Sequence, residues 1–179
     1  LHLNIINYRA LKKMSTQYKE AVPWGRNFDE YIKMFALTKE HLKMKIIGCG
    51  DGPASFNFTC NENGGSVISL DPIYRLSKKQ IADRINETFD AVISQTRANQ
   101  EKFRWSTIKS VDELGQTRMK AMNDFLDSYE DGKAKGLYIP GELPILKFEE
   151  KSFDIALSSH FLFLYSDILS YQFHLESIH

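Results

Sequence analysis

The stretch from Lys45 to Asp71, KIIGCGDGPASFNFTCNENGGSVISLD, constrains this chain more than any other. An apolar run leads into a glycine-rich turn, a short segment of helical character and a second apolar run ending in an acid. Glycines in such a turn let the backbone approach a ligand closely and take positive φ angles. A helix starting after the turn presents unpaired N–H groups to polar ligand atoms. An acid ending the second strand can accept hydrogen bonds from both hydroxyls of a ribose. The segment therefore reads as a nucleotide cradle. The expected elements are a strand over about 44–48, a helix from about Pro53 to Asn61 with Pro53 at its first position, and a strand over 66–70.

Apolar spacing places the remaining elements. Residues 3–19 read as a helix or a loosely attached arm, within an N-terminal helical extension over 1–42. Ala21-Val22-Pro23-Trp24-Gly25-Arg26 is turn-like. Asn27 and Glu30 form a capping box ahead of a stripe of Phe28, Tyr31, Ile32, Phe35 and Leu37. Ser77 with Gln80, and Ser110 with Glu113, open two more helices. Their stripes are Ile81, Ile85, Phe89, Val92 and Ile93, then Val111, Leu114, Met122, Phe125, Leu126 and Tyr129. Roughly sixty residues thus separate strands two and three, where a βαβ crossover needs only about 30. The excess is a helical insertion over 76–135, expected to lie over the ligand cleft as an acceptor pocket or lid. A short third strand (136–139), a loop (140–152), a fourth strand (153–158) and a last helix capped by Asp167 follow. Strands alternating with helices imply the α/β class, with a parallel sheet covered on both faces, in a domain spanning 43–179.

Composition enters as exclusions. Lys+Arg and Asp+Glu are equal at 23 each, so no global field attracts nucleic acid or an anionic membrane. No apolar run approaches the ~18 residues of a membrane span. Cys49 and Cys60 lack CxxC spacing and are too few for a disulfide framework, which fits a reducing, cytoplasmic setting. His2, His41, His174 and His179 show no metal-ligand spacing, and no metal is expected.

The turn itself reads Gly48-Cys49-Gly50-Asp51-Gly52. Its spacing is GxGxG, whereas a dinucleotide fingerprint is GxGxxG and would have a small residue where Pro53 stands. No Lys-Ser/Thr pair follows, as a phosphate loop would require. The pattern favours a nucleoside ligand without a pyrophosphate, with a purely structural turn as the alternative.

On these residues the chain resembles the class I S-adenosylmethionine-dependent methyltransferases, over roughly Trp24 to His179. GCGDG is similar to their cofactor turn, and Asp71, ending VISLD, to their ribose-binding acid. YIPGELPILKFEEKSFDIALSSHFLFLY is similar to the family's later run of strand, Gly-Asp, Leu-Pro turn, Ser-Phe-Asp and strand. GCGDGPASF, LDP and SSHFLFLY together resemble one bacterial branch. The family's acid two residues before the first glycine has no counterpart, because Ile46 stands there.

The resemblance implies a Rossmann-like sheet and S-adenosyl-L-methionine as cofactor. Its binding positions would be Gly48, Cys49, Gly50, Asp51, Gly52, Asp71, Pro72, Ile73, Glu142, Leu143 and Ser158. Asp71 is either the ribose acid or a helix cap. Ile73 and Tyr74 cover an adenine face or are core. Asp51 meets ligand or solvent. Cys49 reads as a small turn residue rather than a nucleophile. His160, closing the strand beside strand one, is either a general base or a wall residue. Arg26 would suit the methionine carboxylate, and Trp24 folds over the cofactor or packs on the first helices.

The implied activity is methyl transfer to a small-molecule acceptor. The alternatives are a cofactor-binding protein without transfer, favoured by Ile46, and a nicotinamide-dependent oxidoreductase. A seven-stranded sheet of this family would need strands beyond His179. The expectation is that the natural protein continues, or that the open edge of strand four self-associates.

Overall fold

The computed structural model describes residues 22–166 and 169–178. The expected arm over 3–19, the expected cap Asp167, and Ile168 and His179 of the last stripe lie outside the described residues.

Helix α1, Phe28–Phe35, starts at the expected capping box. The Glu30 amide donates to Asn27 Oδ1 at 2.9 Å, and the Asn27 amide donates to Glu30 Oε2 at 3.1 Å. Strand β1, Lys45–Cys49, begins one residue later than expected, because Met44 closes a 3-10 turn onto the His41 carbonyl. Helix α2, Phe56–Glu62, begins three residues later. Pro53 is not its first residue. The Pro53 carbonyl lies against Gly25, where a Cβ would come within 1.9 Å of it, and the Ser55 amide is taken by the Arg26 carbonyl at 3.0 Å. Strand β2, Ser66–Leu70, has the expected bounds.

The insertion forms α3, Lys78–Ala98, and α4, Val111–Ala134. Only half of the second expected box is made. Ser110 Oγ accepts from the Glu113 amide, but the Glu113 carboxylate turns to the Lys109 amide at 2.7 Å. Strands β3, Tyr138–Ile139, and β4, Ile155–Leu157, are shorter than expected. Phe153 leaves the β4 line to pack edge-on against Phe148, and Asp154 closes on Lys45, its amide donating to the Lys45 carbonyl and its carboxylate accepting from the Lys45 amide, each at 2.9 Å. Short α5, Phe161–Leu164, and α6, Tyr171–Ile178, complete the described elements.

The four strands form one all-parallel sheet in the order β3-β2-β1-β4, an α/β architecture. Alternation along the strands divides the core. Ile46, Val67 and Leu157 face α1 and α2, where Tyr31 and Phe56 stack at 4.3 Å. Ile47, Cys49 and Leu70 face the other way, against Leu143, Leu162 and the rings of Phe161 and Phe173. A third cluster, built on Tyr74, Ile81, Met122, Phe125, Tyr129 and Tyr138, docks the α3–α4 hairpin onto the sheet. Among the described residues, no helix is long and apolar enough to cross a membrane.

The insertion does not lie wholly over the cleft. The C-terminal half of α4 is the crossover helix, descending along the sheet to β3 with Gly132 against the Tyr138 ring. Phe125 meets Tyr74, just past the carboxyl end of β2. Arg118, seven residues earlier on α4, is about 10 Å further along the axis and therefore beyond that edge. Helix α3 runs antiparallel beside it, held by Lys78–Asp127 and Arg97–Asp112. The upper hairpin thus forms a wall above the carboxyl ends of the strands.

Gly132 gives a direct check. Gly to Ala inside a helix normally stabilises by up to about 1 kcal/mol. Here a Cβ would fall 2.5 Å from the Tyr138 ring, and overpacking costs about 1–3 kcal/mol. Gly132→Ala is expected to lower the denaturation midpoint; a raised midpoint would contradict this packing.

Candidate functional site

The strand order reverses between β1 and β4, and ligands of open parallel sheets bind in the crevice beyond the carboxyl ends at such a point. The glycine turn sits there. Gly50 and Gly52 have φ of 71° and 57°, the left-handed region that glycine enters without strain. The Gly50 amide donates to the Leu70 carbonyl at 2.9 Å. The Gly52 amide donates to Asp71 Oδ2 at 2.8 Å, and the Tyr74 hydroxyl donates to the Gly52 carbonyl. The three glycines face different surroundings. A Cβ on Gly48 would meet the Asp51 carboxylate, one on Gly50 would meet Phe161, and one on Gly52 would meet nothing within 4 Å. Gly52 is the open side of the cradle.

Of the two roles expected of Asp71, the structure shows the cap, and adds a bond to the glycine turn. Oδ1 accepts from the Ile73 amide at 2.8 Å and caps the 3-10 turn Pro72–Arg75, while Oδ2 holds Gly52. Each oxygen keeps a second acceptor position. Burial pushes its pKa up to about 6, against the pull of both amides and with the charges of Asp51 and Glu142 adding to the rise.

Asp51 is not exposed to ligand or solvent. It is 6% exposed, folded back over Gly48, and accepts from Tyr31 at 2.7 Å and Ser69 at 2.6 Å. Burial raises its pKa, partly offset by these two hydroxyls. The absence of a Gly48 side chain is what leaves room for it. Cys49 is core, with its thiol pushed up to about 12 by burial first and by Asp51 second.

Tyr74 is fully buried in the α3–α4 cluster, so it does not cover an adenine face, whereas Ile73 is half-buried at the rim of that cluster. Pro72 is exposed. Glu142 is exposed and pairs with Arg75 at 3.5 Å. Leu143 is buried near Leu70. Ser158, immediately after β4, has a buried Oγ with no hydrogen-bond partner. Ile46 lies in the α1/α2 core and offers the crevice no polar group.

His160 accepts through Nε2 from Arg26 Nη2 at 2.7 Å. Burial first, then the charges of Arg26 and Arg118, depress its pKa to about 3. A neutral ring whose lone pair is already engaged is a weak base, which favours the wall role. An unfolded histidine titrates near 6.5, so the folded state resists protonation and stability falls as pH drops from about 6.5 towards 3. His160→Asn is expected to flatten that part of the curve, read by urea denaturation at pH 7 and 4.5; an unchanged slope would contradict the assignment.

The sequence left a second cluster unread. Arg26 Nη1 bonds Glu30 Oε1 at 3.2 Å, and Arg118 Nη1 bonds Glu30 Oε2 at 2.5 Å. Burial and the nearby Arg118 charge lower the Arg26 pKa to about 10, which still leaves it charged at neutral pH. Burial alone would raise Glu30, but the Arg118 hydrogen bond and both guanidinium charges hold it below its usual value. Residues 22–27 cross the carboxyl edge as a strap. Trp24 packs on Phe89 of α3 rather than on the first helices, Gly25 lies on Pro53, and Arg26 reaches His160. One signal for Arg118 was present. Val111, Gly115, Arg118, Met122, Phe125 and Tyr129 are all buried along one face of α4, and a lone charge on such a stripe needs a partner.

No family model and no solved structure matches this chain. Over 161 residues it is 35% identical to an uncharacterized protein of Methanocaldococcus jannaschii, a match covering 89% of this chain and 72% of that protein. The chain belongs to the family of that archaeal protein.

Proposed function

We propose that this member of the archaeal protein's family is an S-adenosylmethionine-dependent methyltransferase acting on a small-molecule acceptor in the crevice beyond β1 and β4. The observation that carries the reading is the Gly52–Asp71 hydrogen bond. It joins an open glycine turn after the first strand to an acid at the end of the second. That arrangement suits a ribose, with Asp71 accepting from its hydroxyls and Gly52 allowing close approach.

A pyrophosphate fits less well. Helix α2 starts four residues beyond Gly52, and the Ser55 amide at its start is already engaged. Ile73 and Glu142 flank the adenine side, and the unpartnered Ser158 Oγ offers a hydrogen bond near β1. When bound, the sulfonium cofactor supplies an activated methyl group. The protein's task is then alignment of donor and acceptor, with the strap and Phe161 limiting water.

One observation favours a second reading, binding without transfer. Ile46 offers no polar group to the amino end of the cofactor, and His160 is engaged by Arg26. A nicotinamide-dependent oxidoreductase is a third reading, disfavoured by the turn spacing. Calorimetry with S-adenosylhomocysteine and with NADH separates them. The first should bind and the second should not, and a folded chain that binds only NADH overturns the proposal. A screen of acceptors with isotope-labelled methyl donor then distinguishes transfer from binding alone.

A further inference from the structure

Arg26, Glu30, Arg118 and His160 form a buried cluster at the carboxyl edge whose charges do not cancel. Two guanidiniums share one carboxylate, and His160 is neutral. Among the described residues, Glu30 is the sole carboxylate within ion-pair distance of either arginine. Asp51 is tied to Tyr31 and Ser69 instead. Arg118 is 1% exposed, and its Nε–H has no hydrogen-bond partner. An arginine cannot shed its proton to escape this situation. A buried cation with an unmatched donor is costly unless an anion completes it.

The stereochemistry narrows the anion. Glu30 occupies Nη1 of Arg118. In a planar guanidinium, Nε–H and one Nη2–H point the same way, a fork spaced for two oxygens of one group. The cluster lies at the crevice, since His160 follows β4 and the strap carrying Arg26 crosses the turn.

We infer that this cluster is a binding site for a ligand carboxylate, held across Nε and Nη2 of Arg118 with Arg26 alongside. If the proposed methyl transfer holds, the carboxylate belongs either to the methyl acceptor or to the amino-acid end of the cofactor. The test of the site itself does not depend on that function.

The probe is sodium acetate, titrated against sodium chloride at matched ionic strength. The readout is the side-chain Nε–H resonance of Arg118 in nitrogen-15-labelled protein, assigned by its loss in Arg118→Lys. Acetate is expected to shift that resonance saturably, and chloride is not. Acetate should also raise the melting temperature of the wild type but not of Arg118→Met, where Arg26 still neutralises Glu30. An unmoved Nε–H signal, or equal acetate stabilisation of wild type and Arg118→Met, overturns the inference.

A second arm separates the two sources. S-adenosylhomocysteine carries a carboxylate and 5′-methylthioadenosine does not. Loss of about ten- to a hundredfold in affinity for the first alone in Arg118→Met assigns the site to the cofactor. Unchanged affinity for both in Arg118→Met, alongside a saturable acetate shift in the wild type, assigns it to the acceptor. If neither adenosyl compound binds, the functional proposal fails while the acetate result still decides the site.

Discussion

Glu30→Ala is expected to destabilise the protein by about 3–5 kcal/mol, the range seen when one partner of a buried ion pair is removed. Total stabilities are commonly about 5–15 kcal/mol, so the variant should be near the limit of folding. Three losses coincide. The reciprocal half of the α1 cap disappears, the guanidinium of Arg26 loses its counterion, and Arg118 becomes a buried cation with no carboxylate. The charge term can be isolated. Glu30→Ala combined with Arg118→Met removes both members of the inner pair and should be more stable than Glu30→Ala alone. Urea denaturation of the two single variants and the double variant gives the coupling. Additive effects would mean that the pair contributes nothing beyond its separate side chains.

Asp71→Ala is expected to act twice. It frees the Gly52 and Ile73 amides, a loss comparable to removing a helix cap, about 1–2 kcal/mol. It also removes the charge-assisted acceptor for ribose hydroxyls, weakening S-adenosylhomocysteine by about 1–3 kcal/mol. The pH dependences have opposite signs. The folded pKa of Asp71, about 6, is above its ordinary value of 3.8. Protonation therefore favours the fold, and this contribution is full below about 4 and lost as pH rises through 6. Ligand affinity needs the carboxylate and should rise through the same pH. Calorimetry at pH 5 and 7.5 should show that rise in the wild type and not in Asp71→Asn. Unchanged affinity in a folded Asp71→Ala would remove Asp71 from the site.

The strand-turn-helix-strand core was legible because its signals are local: apolar runs, glycines and a terminal acid. The positions of element ends were less so. Helix α2 starts late because the strap, from an earlier part of the chain, takes the Ser55 amide. Asp51 shows the same limit. A polar residue in a glycine turn reads as exposed, and only the fold places Tyr31 and Ser69 to receive it. His160 was found from its place after β4, but its partner Arg26 lies 134 residues away, and that contact changes its chemistry. Glu30 was recognised as a cap while its second role, pairing two arginines, depended on where the insertion places Arg118.

The central claim is that an adenosyl ligand lies on the glycine turn against Asp71. It is tested most directly by titrating S-adenosylhomocysteine into nitrogen-15-labelled protein and following the backbone amides. The Gly52 and Ile73 amides, which Asp71 holds, are predicted to shift saturably together with Gly50. A folded protein in which those three signals stay fixed while the ligand is in large excess would contradict the account.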